Sequence, residues 1–230
     1  MAIALVSNTG KGSTGGGSVT TDAIDTTGAT LLVIVLGYFD STPTISDSKG
    51  NTWTALTNSD GPLSSNCQIF YVANPTVGSG HTFTNGTASS FSSILVSSWS
   101  GVATTTPFDQ QNQNTGTAVT TVTTGSITPG ENNELVIAGL CLRDIGVTGD
   151  TVTIDGGFTI SNQVPGVGSN NLEGAMAYLV QTTAAAANPA WSWTNSDSAA
   201  AAIASFKQAA AGGTAVKDII SIGYIPHARA

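Results

Sequence analysis

The sequence predicts an all-β protein, specifically an antiparallel β-sandwich of jelly-roll type with an internal duplication of two halves. Three observations support this prediction. Residues 31–37 form a short run without polar side chains between turn-forming residues, as in a strand that is buried on both faces. Helical periodicity is nearly absent, and short strand-like segments are separated by Gly, Asn, Asp, Ser and Pro. Several motifs of the first half also recur, in the same order, in the second half.

The run at residues 31–37 is the segment around which we expect the protein to fold. Its seven residues include three β-branched side chains, and it ends at Gly37. A similar apolar run occupies residues 135–142, within the segment 134–142. Strands without a polar face need apolar cover above and below. We therefore expect two packed antiparallel sheets, roughly 10 Å apart, with these two strands at their centres.

The internal repeat comprises residues 18–104 and residues 118–207, within one sandwich domain that we expect to cover residues 1–208. The offset between matching segments drifts from about 100 to about 110 residues, as insertions in surface loops would produce. Two immunoglobulin-like sandwiches in tandem are the alternative architecture. The matching pairs are Ser18–Thr21 with Ala118–Thr121, Leu32–Ile34 with Leu135–Ile137, Ile69–Val72 with Met176–Leu179, His81–Thr84 with Trp191–Thr194, and Val96–Trp99 with Ile203–Phe206.

The segment Ser198–Phe206 is the one place where local propensity opposes the β interpretation. It contains a run of alanines, which favour helix. The repeat aligns it with the strand predicted from Phe91 to Trp99. We therefore predict a strand here too.

Composition and charge exclude several classes of function. Charged residues make up only 9% of the chain, the net charge is -8 and the pI is near 4.3. Such a chain would be repelled by duplex nucleic acid and by anionic membranes. The sequence contains no run of about 18 apolar residues, which is the length that a membrane-spanning helix needs. Residues 1–6 lack the basic flank of a secretory signal.

The two cysteines, Cys67 and Cys141, lie in strand-like surroundings. Free cysteine packs as a small apolar residue, so we predict two buried thiols. A disulfide is the alternative, because two residues far apart in sequence can face each other across a sandwich.

The sequence contains no pattern that predicts catalysis or a cofactor. Its two histidines, His81 and His227, belong to no HxH, HExxH or Cys/His cluster, and GxSxG is absent. We therefore predict no enzyme activity, no cofactor and no metal site.

The segment from Asp47 to Trp53 is the most distinctive one. It predicts a tight turn with Gly50 at positive φ, and a calcium site is the alternative. Trp191 and Trp193 would point to the same side of one strand. Core packing is the favoured interpretation of both, and stacking on a glycan is the alternative.

Residues 209–230 differ in character from the domain and predict a flexible linker followed by an apolar arm. Leaving such side chains in water costs about 1.5–3 kcal/mol each, so we expect the arm to be buried. Packing on its own domain and docking on a neighbouring subunit as an added strand both remain open. The expected contact residues are Val216, Ile219, Ile220, Ile222, Tyr224 and Ile225.

The pattern of motifs resembles an all-β, repeat-containing domain found in virion proteins of tailed bacteriophages and in bacterial surface proteins. The resemblance covers residues 18–207 and implies a binding or structural module without catalytic residues. It rests on the apolar strand at residues 31–36 and on the motifs Ile45–Trp53, Ile69–Ala73, Trp99–Val102 and Pro107–Asp109.

From these observations we expect a structural virion protein that decorates or cements the outer capsid surface. Its partners would be the major capsid protein or other virion subunits, in a multi-copy assembly that the arm anchors. The alternative is a carbohydrate-binding or adhesion module of a cell-surface protein or a phage receptor-binding protein.

Overall fold

The computed structural model describes residues 1–13, 17–39, 42–86, 91–144, 150–166 and 171–210. These residues form fifteen strands and one short 3-10 turn. In chain order the elements are β1 (Ala4–Gly12), β2 (Val19–Thr20), β3 (Leu31–Tyr38), β4 (Ile45–Asp47), β5 (Thr54–Ala55), β6 (Ser59–Asp60), the turn Pro62–Ser64, β7 (Asn66–Ala73), β8 (Phe83–Asn85), β9 (Ser92–Ser100), β10 (Phe108–Thr123), β11 (Glu134–Asp144), β12 (Thr153–Ile154), β13 (Thr159–Val164), β14 (Asn171–Gln181) and β15 (Ala190–Phe206).

The strands form two main antiparallel sheets, one from each half of the chain. The first has the order β1-β9-β3-β7-β5, with β6 also paired to β7, and the second has the order β10-β15-β11-β14-β13, with β12 also paired to β15. A smaller sheet has the order β2-β8-β4. The prediction of an all-β sandwich built from antiparallel sheets is confirmed.

The central strands are buried on both faces, as the sequence predicts. Each of the six residues from Leu31 to Leu36 is 0% exposed. Strand β3 lies between β9 and β7, and β11 lies between β15 and β14. Both strands therefore have neighbours on both edges and apolar cover on both faces.

The apolar residues form layers that explain this double burial. Leu31 and Val33 pack with Leu135 and Ile137 in a cluster between the two main sheets. On its other face the first main sheet packs against the small sheet, where Phe83 lies. The outer face of the second main sheet is covered by residues of β12, the end of β10 and the start of β15. The molecule is thus a stack of four β layers with three apolar interfaces.

The two main sheets share one strand order, although the jelly-roll form is not confirmed. In a jelly roll the chain crosses repeatedly between the sheets, whereas here each half of the chain forms one main sheet. Each half also begins with a strand segment outside the matched residues. It is β1 in the first half and the first part of β10 in the second half. The shared order agrees with a duplication, which itself stays a hypothesis.

The register shows that the sequence match of the central strands is wrong by one residue. Leu31 lies opposite Trp99, and Leu135 lies opposite Phe206, so Leu31 and Leu135 are equivalent. The sequence match paired Leu32 with Leu135. Because side chains alternate between faces, a shift of one residue moves each of them to the other face. Leu32 indeed faces the small sheet, and Leu135 faces the interface between the main sheets.

The alanine-rich segment is a strand, as predicted. It belongs to β15, which pairs with β10 on one edge and with β11 on the other. Ala200, Ala202 and Ala204 face the first main sheet, and Ala199 and Ala201 face the outer layer. Pairing on both edges and burial on both faces override the helix propensity of alanine.

Small residues allow the main sheets to approach closely at their centre. A methyl group added to Gly139 would lie 2.7 Å from Val35 Cγ1 and 3.3 Å from Cys67 Sγ. A methyl group added to Gly37 would lie 2.7 Å from Cys141 Sγ. Each sheet therefore presents a cysteine where the other presents a glycine.

Both cysteines are buried free thiols, as predicted, and they are not joined in a disulfide. Burial raises the pKa of Cys67 to about 12. Burial, followed by the proximity of Cys67, also raises the pKa of Cys141 well above its usual value. Both side chains are therefore neutral thiols at physiological pH.

Replacing Gly139 by alanine is expected to destabilise the fold by about 1–3 kcal/mol, because the new methyl group overlaps Val35 in a packed interface. Chemical denaturation measures the change. Gly86→Ala is the matched control, since its methyl group would come no closer than 3.6 Å to Thr44 O. Equal stabilities of the two variants would contradict the close approach of the sheets.

The burial of the thiols predicts slow chemical labelling. In the native protein at pH 8, Cys67 and Cys141 should react with a thiol reagent at least about 100-fold more slowly than in denaturant, because the thiolate is the reacting form. Mass spectrometry should find both cysteines labelled after unfolding without reductant. If Cys67 and Cys141 both stayed unlabelled under those conditions, they would be joined in a disulfide.

Candidate functional site

The structure contradicts the glycan-stacking interpretation of Trp191 and Trp193. Trp191 is 0% exposed and Trp193 is 7% exposed. Both pack in the apolar cluster on the outer face of the second main sheet. A buried indole has no face to offer a sugar from solvent, so core packing accounts for both residues.

The predicted arm residues, from Val216 to Ile225, lie outside the described residues, and so does His227. Their roles and the domain boundary at residue 208 stay predictions. The last described residues are fixed to the sandwich: Gln208 pairs with Val102, and the Ala209 amide donates to Gly101 O at 2.8 Å.

Asp47 is the centre of a buried polar network. Its Oδ1 accepts hydrogen bonds from the Lys49 amide at 2.8 Å and from Asn51 Nδ2 at 3.2 Å. Its Oδ2 accepts from Trp53 Nε1 at 2.8 Å. Gly50 has φ of 73°, as the turn interpretation predicts. The carboxylate is thus occupied by donors of its own loop, which supports the turn rather than a calcium site.

His81 completes this network from the far side. Its Nε2 lies 3.1 Å from Asp47 Oδ1, in a close polar contact without good hydrogen-bond alignment. Its Nδ1 lies 3.0 Å from Thr26 Oγ1. Thr26, His81 and Asp47 thus form a row of hydroxyl, imidazole and carboxylate. The same order of groups also occurs in hydrolases. Here His81 and Thr26 are each 0% exposed, so no substrate reaches the hydroxyl, and the row stabilises the fold.

Hydrogen bonding makes Asp47 more acidic. Burial alone raises the pKa of its carboxyl, because it disfavours the charged form. The Lys49 amide, His81, Trp53 and the Asn51 amide outweigh burial, so that the pKa of Asp47 lies below its usual value.

The network fixes Trp53, the one partly exposed tryptophan of the four. Its indole N–H is held by Asp47, and its ring meets Phe83 edge-on with centroids 6.1 Å apart. Trp53 lines a concave surface of about 460 Å³, which we call the aromatic groove, together with Pro43, Ile45, Asn51 and Phe70.

A second concave surface, of about 400 Å³, adjoins the first at Pro43 and is lined mainly by polar side chains. We call it the amide groove. Its residues come from β3, β6, β7 and the loops beside them, and include Tyr38, Asn58, Asp60, Ser64, Asn66 and Gln68. The two grooves share the outer face of β7, because Gln68 and Phe70 point to the same side.

Hydrogen bonds order the amide groove. Tyr38 Oη donates to Gln68 Oε1 at 3.4 Å, and Gln68 Nε2 donates to Leu56 O at 2.7 Å. Asn58 Nδ2 donates to Asn66 Oδ1 at 3.2 Å. Asn58 Oδ1 is shielded from solvent and accepts no hydrogen bond from the described residues. Burial raises the pKa of Tyr38 to about 12, so its hydroxyl remains a donor at physiological pH.

The second main sheet shows that the fold does not require these polar residues. Tyr38 follows Leu31 by seven positions, and Leu142 follows Leu135 by seven, so Tyr38 and Leu142 are equivalent. Gln68 lies opposite Leu36, and by the same reasoning its equivalent is Ala175. Leu142 and Ala175 are buried in an apolar cluster. The first half thus has polar side chains at positions where the second half has apolar ones.

A turn with unusual backbone angles borders the amide groove. Leu63 and Ser64 have φ of 54° and 64°, which is uncommon outside glycine. Leu63 is 53% exposed. Arg143 of the second half donates from Nη1 to Leu63 O and places its guanidinium 4.8 Å from the ring centre of Phe39. The second half thus holds this turn beside the groove.

The sequence gives limited signals for this site. The Asp47–Trp53 segment indicates the turn. Trp53 is one of four tryptophans, and the sequence alone does not show which of them is partly exposed. The amide groove draws on residues between positions 38 and 68 whose individual types are ordinary on a polar surface. Only the pairing of strands brings them together.

Comparison of the chain with protein-family models, with curated proteins and with solved structures finds no match. Within the described ranges, no group of three or more His, Cys, Asp or Glu side chains is arranged to hold a metal ion. No helix among the described residues is long and apolar enough to cross a membrane.

Replacing Asp47 by asparagine is expected to lower the stability at pH 7 by about 2 kcal/mol, because the carboxylate receives charge-assisted hydrogen bonds. The folded protein lowers the pKa of Asp47, so its contribution is present above the unfolded pKa of about 3.9 and is lost as pH falls through the folded pKa. The difference between wild type and variant should therefore shrink below about pH 4.

Denaturant titrations between pH 2.5 and pH 7 measure this difference. The matched control is Asp22→Asn, whose side chain is 86% exposed and contacts only Lys11 at 3.1 Å. Its effect should stay within about 0.5 kcal/mol. A pH-independent loss in Asp47→Asn would show that packing, and not the charge, is what Asp47 supplies.

Proposed function

We propose that the protein is a non-enzymatic structural subunit of a virion, which decorates the outer capsid surface and binds neighbouring capsid subunits through its C-terminal arm. The observation that carries the proposal is the position at which the chain leaves the sandwich. Gln208 pairs with Val102, directly beyond the end of β9 at Ser100. The amide groove lies at the other end of the sheet, where Ser92 pairs with Tyr38.

The two ends of β9 are roughly 26 Å apart, given nine residues and about 3.3 Å per residue. A subunit anchored by residues 216–226 would therefore point its groove away from the anchor. The acidic composition and the low fraction of charged residues also suit a protein that contacts other proteins rather than packaged DNA.

The second candidate function is a carbohydrate-binding or adhesion module, displayed on a virion or on a cell. The specific observation in its favour is the pair of adjoining grooves on the first main sheet. The polar lining is absent at equivalent positions of the second sheet, where Leu142 and Ala175 are buried. The two candidates are compatible, because the described chain ends beside Gly101 and Val102, whereas the amide groove lies at the other end of β9.

Deleting residues 209–230 is expected to lower the occupancy of capsids by at least about tenfold, because each isoleucine of the arm contributes about 1.5–3 kcal/mol when buried. Purified capsids lacking the protein are mixed with wild type or with the truncated protein, and the bound copies are counted by quantitative electrophoresis. A triple replacement of Ile219, Ile220 and Ile222 by serine should give the same loss. Unchanged occupancy in both variants would contradict the proposal.

A further inference from the structure

We propose that the aromatic groove and the amide groove together bind a neutral saccharide. This inference deepens the second candidate function and rests on it. The two grooves have volumes of about 460 and about 400 Å³ and meet at Pro43, and each lies within the usual range of about 300–1,000 Å³ for small-molecule sites. Together they offer an aromatic surface followed by a row of hydrogen-bonding groups.

The aromatic groove suits the apolar face of a sugar ring. Trp53 is held by the bond from its indole nitrogen to Asp47 and by its edge-on contact with Phe83. Its orientation is therefore set before a ligand arrives. The C–H groups on one face of a pyranose are weakly positive, and the face of an indole ring is negative. Pro43 and Phe70 extend this apolar surface toward the amide groove.

The amide groove suits adjacent hydroxyl groups. A sugar hydroxyl donates one hydrogen bond and accepts up to two. A side-chain amide has a donor and an acceptor side by side, so it can pair with two adjacent hydroxyls. Asn58 and Gln68 are partly exposed and bring two such amides to the lining of the groove. Asp60 lies at the surface of the groove and adds an acceptor.

Charge restricts the saccharide to the neutral class. Asp60 is the one charged side chain that lines either groove within the described residues. A carboxylate or sulfate on the ligand would be repelled by it. Two nearby cations are already engaged: Arg143 is bound to Leu63 O and lies over the ring of Phe39, and Lys49 Nζ donates to Ser79 O.

The site is rigid, which lowers the entropy cost of binding a flexible glycan. Tyr38, Asn66 and Gln68 lie on β3 and β7, at the centre of the first sheet. Asn66 and Tyr38 are 6% and 7% exposed and lie opposite each other in the register. Such residues keep their positions when a ligand is absent.

The test is an NMR titration of the ¹⁵N-labelled full chain with three neutral trisaccharides: maltotriose, cellotriose and triacetylchitotriose. At least one should shift the Trp53 indole signal and the side-chain amide signals of Asn66 and Gln68. Trp53→Ala should weaken its binding by at least about tenfold, and Asp60→Ala by about threefold, from loss of one solvent-exposed hydrogen bond. The acidic 3′-sialyllactose should leave these signals unchanged.

Two variants guard against misreading the result. Asp60 is exposed, so Asp60→Ala tests the groove even if Trp53→Ala fails to fold. Gln110→Ala removes an exposed amide from β10 on the second sheet and should leave binding unchanged within twofold. The inference is overturned if no trisaccharide shifts the groove signals at about 20 mM, or if Gln110→Ala weakens binding as much as Asp60→Ala.

The failure of this inference can be told apart from the failure of the proposed functions. Capsid occupancy depends on the arm and not on the grooves, so it stays unaffected by Asp60→Ala. If no trisaccharide binds but Asp60→Ala and Trp53→Ala reduce attachment of the labelled protein to bacterial cells, the ligand class is wrong and the adhesion module survives.

Discussion

Burial of two strands whose central residues are apolar on both faces is the constraint on which this structure depends. Strand β3 from Leu31 to Leu36 is fully shielded from solvent, and β11 occupies the equivalent place in the second sheet. A single pair of sheets would cover one face of each strand and leave the other face in water. The chain therefore adds an outer layer to each main sheet. The hydrophobic effect, at about 25 cal/mol per Å² of buried apolar surface, favours this arrangement of four layers over two.

The two halves use one framework for different purposes. Both have the same strand order, and each supplies a small residue where the other supplies a thiol, as at Gly37 and Cys141. They differ on their outer faces. In the second half, residues equivalent to Tyr38 and Gln68 are apolar and covered, whereas in the first half they form the floor of a polar groove. Because the two sheets share a strand order, the polar surface of the first half is not a requirement of that order.

Sequence reasoning predicts the parts of this structure that local patterns determine. The strand at residues 31–37, the turn at Gly50 and the burial of both thiols follow from local composition and period. The strand at Ser198–Phe206 follows instead from its alignment with the Phe91–Trp99 strand, because its alanines alone favour helix. The alignment of β3 with β11 could not be predicted to the exact residue. Both faces of β3 are apolar, so its sequence has no alternation of polar and apolar residues that would fix the register. The contact between His81 and Asp47 joins residues 34 positions apart in sequence (81 minus 47). The grooves draw on five separate segments between residues 38 and 70. The four tryptophans look alike in the sequence until their burial is known.

The sealed pair of thiols has a consequence for where such a protein could work. Cys67 and Cys141 are the chain's only cysteines, and both sit between the main sheets without access to solvent. The fold thus forms without a disulfide, and neither thiol is exposed to glutathione or to oxygen. Both cysteines would therefore stay in the same covalent state in a reducing compartment and in an oxidising medium.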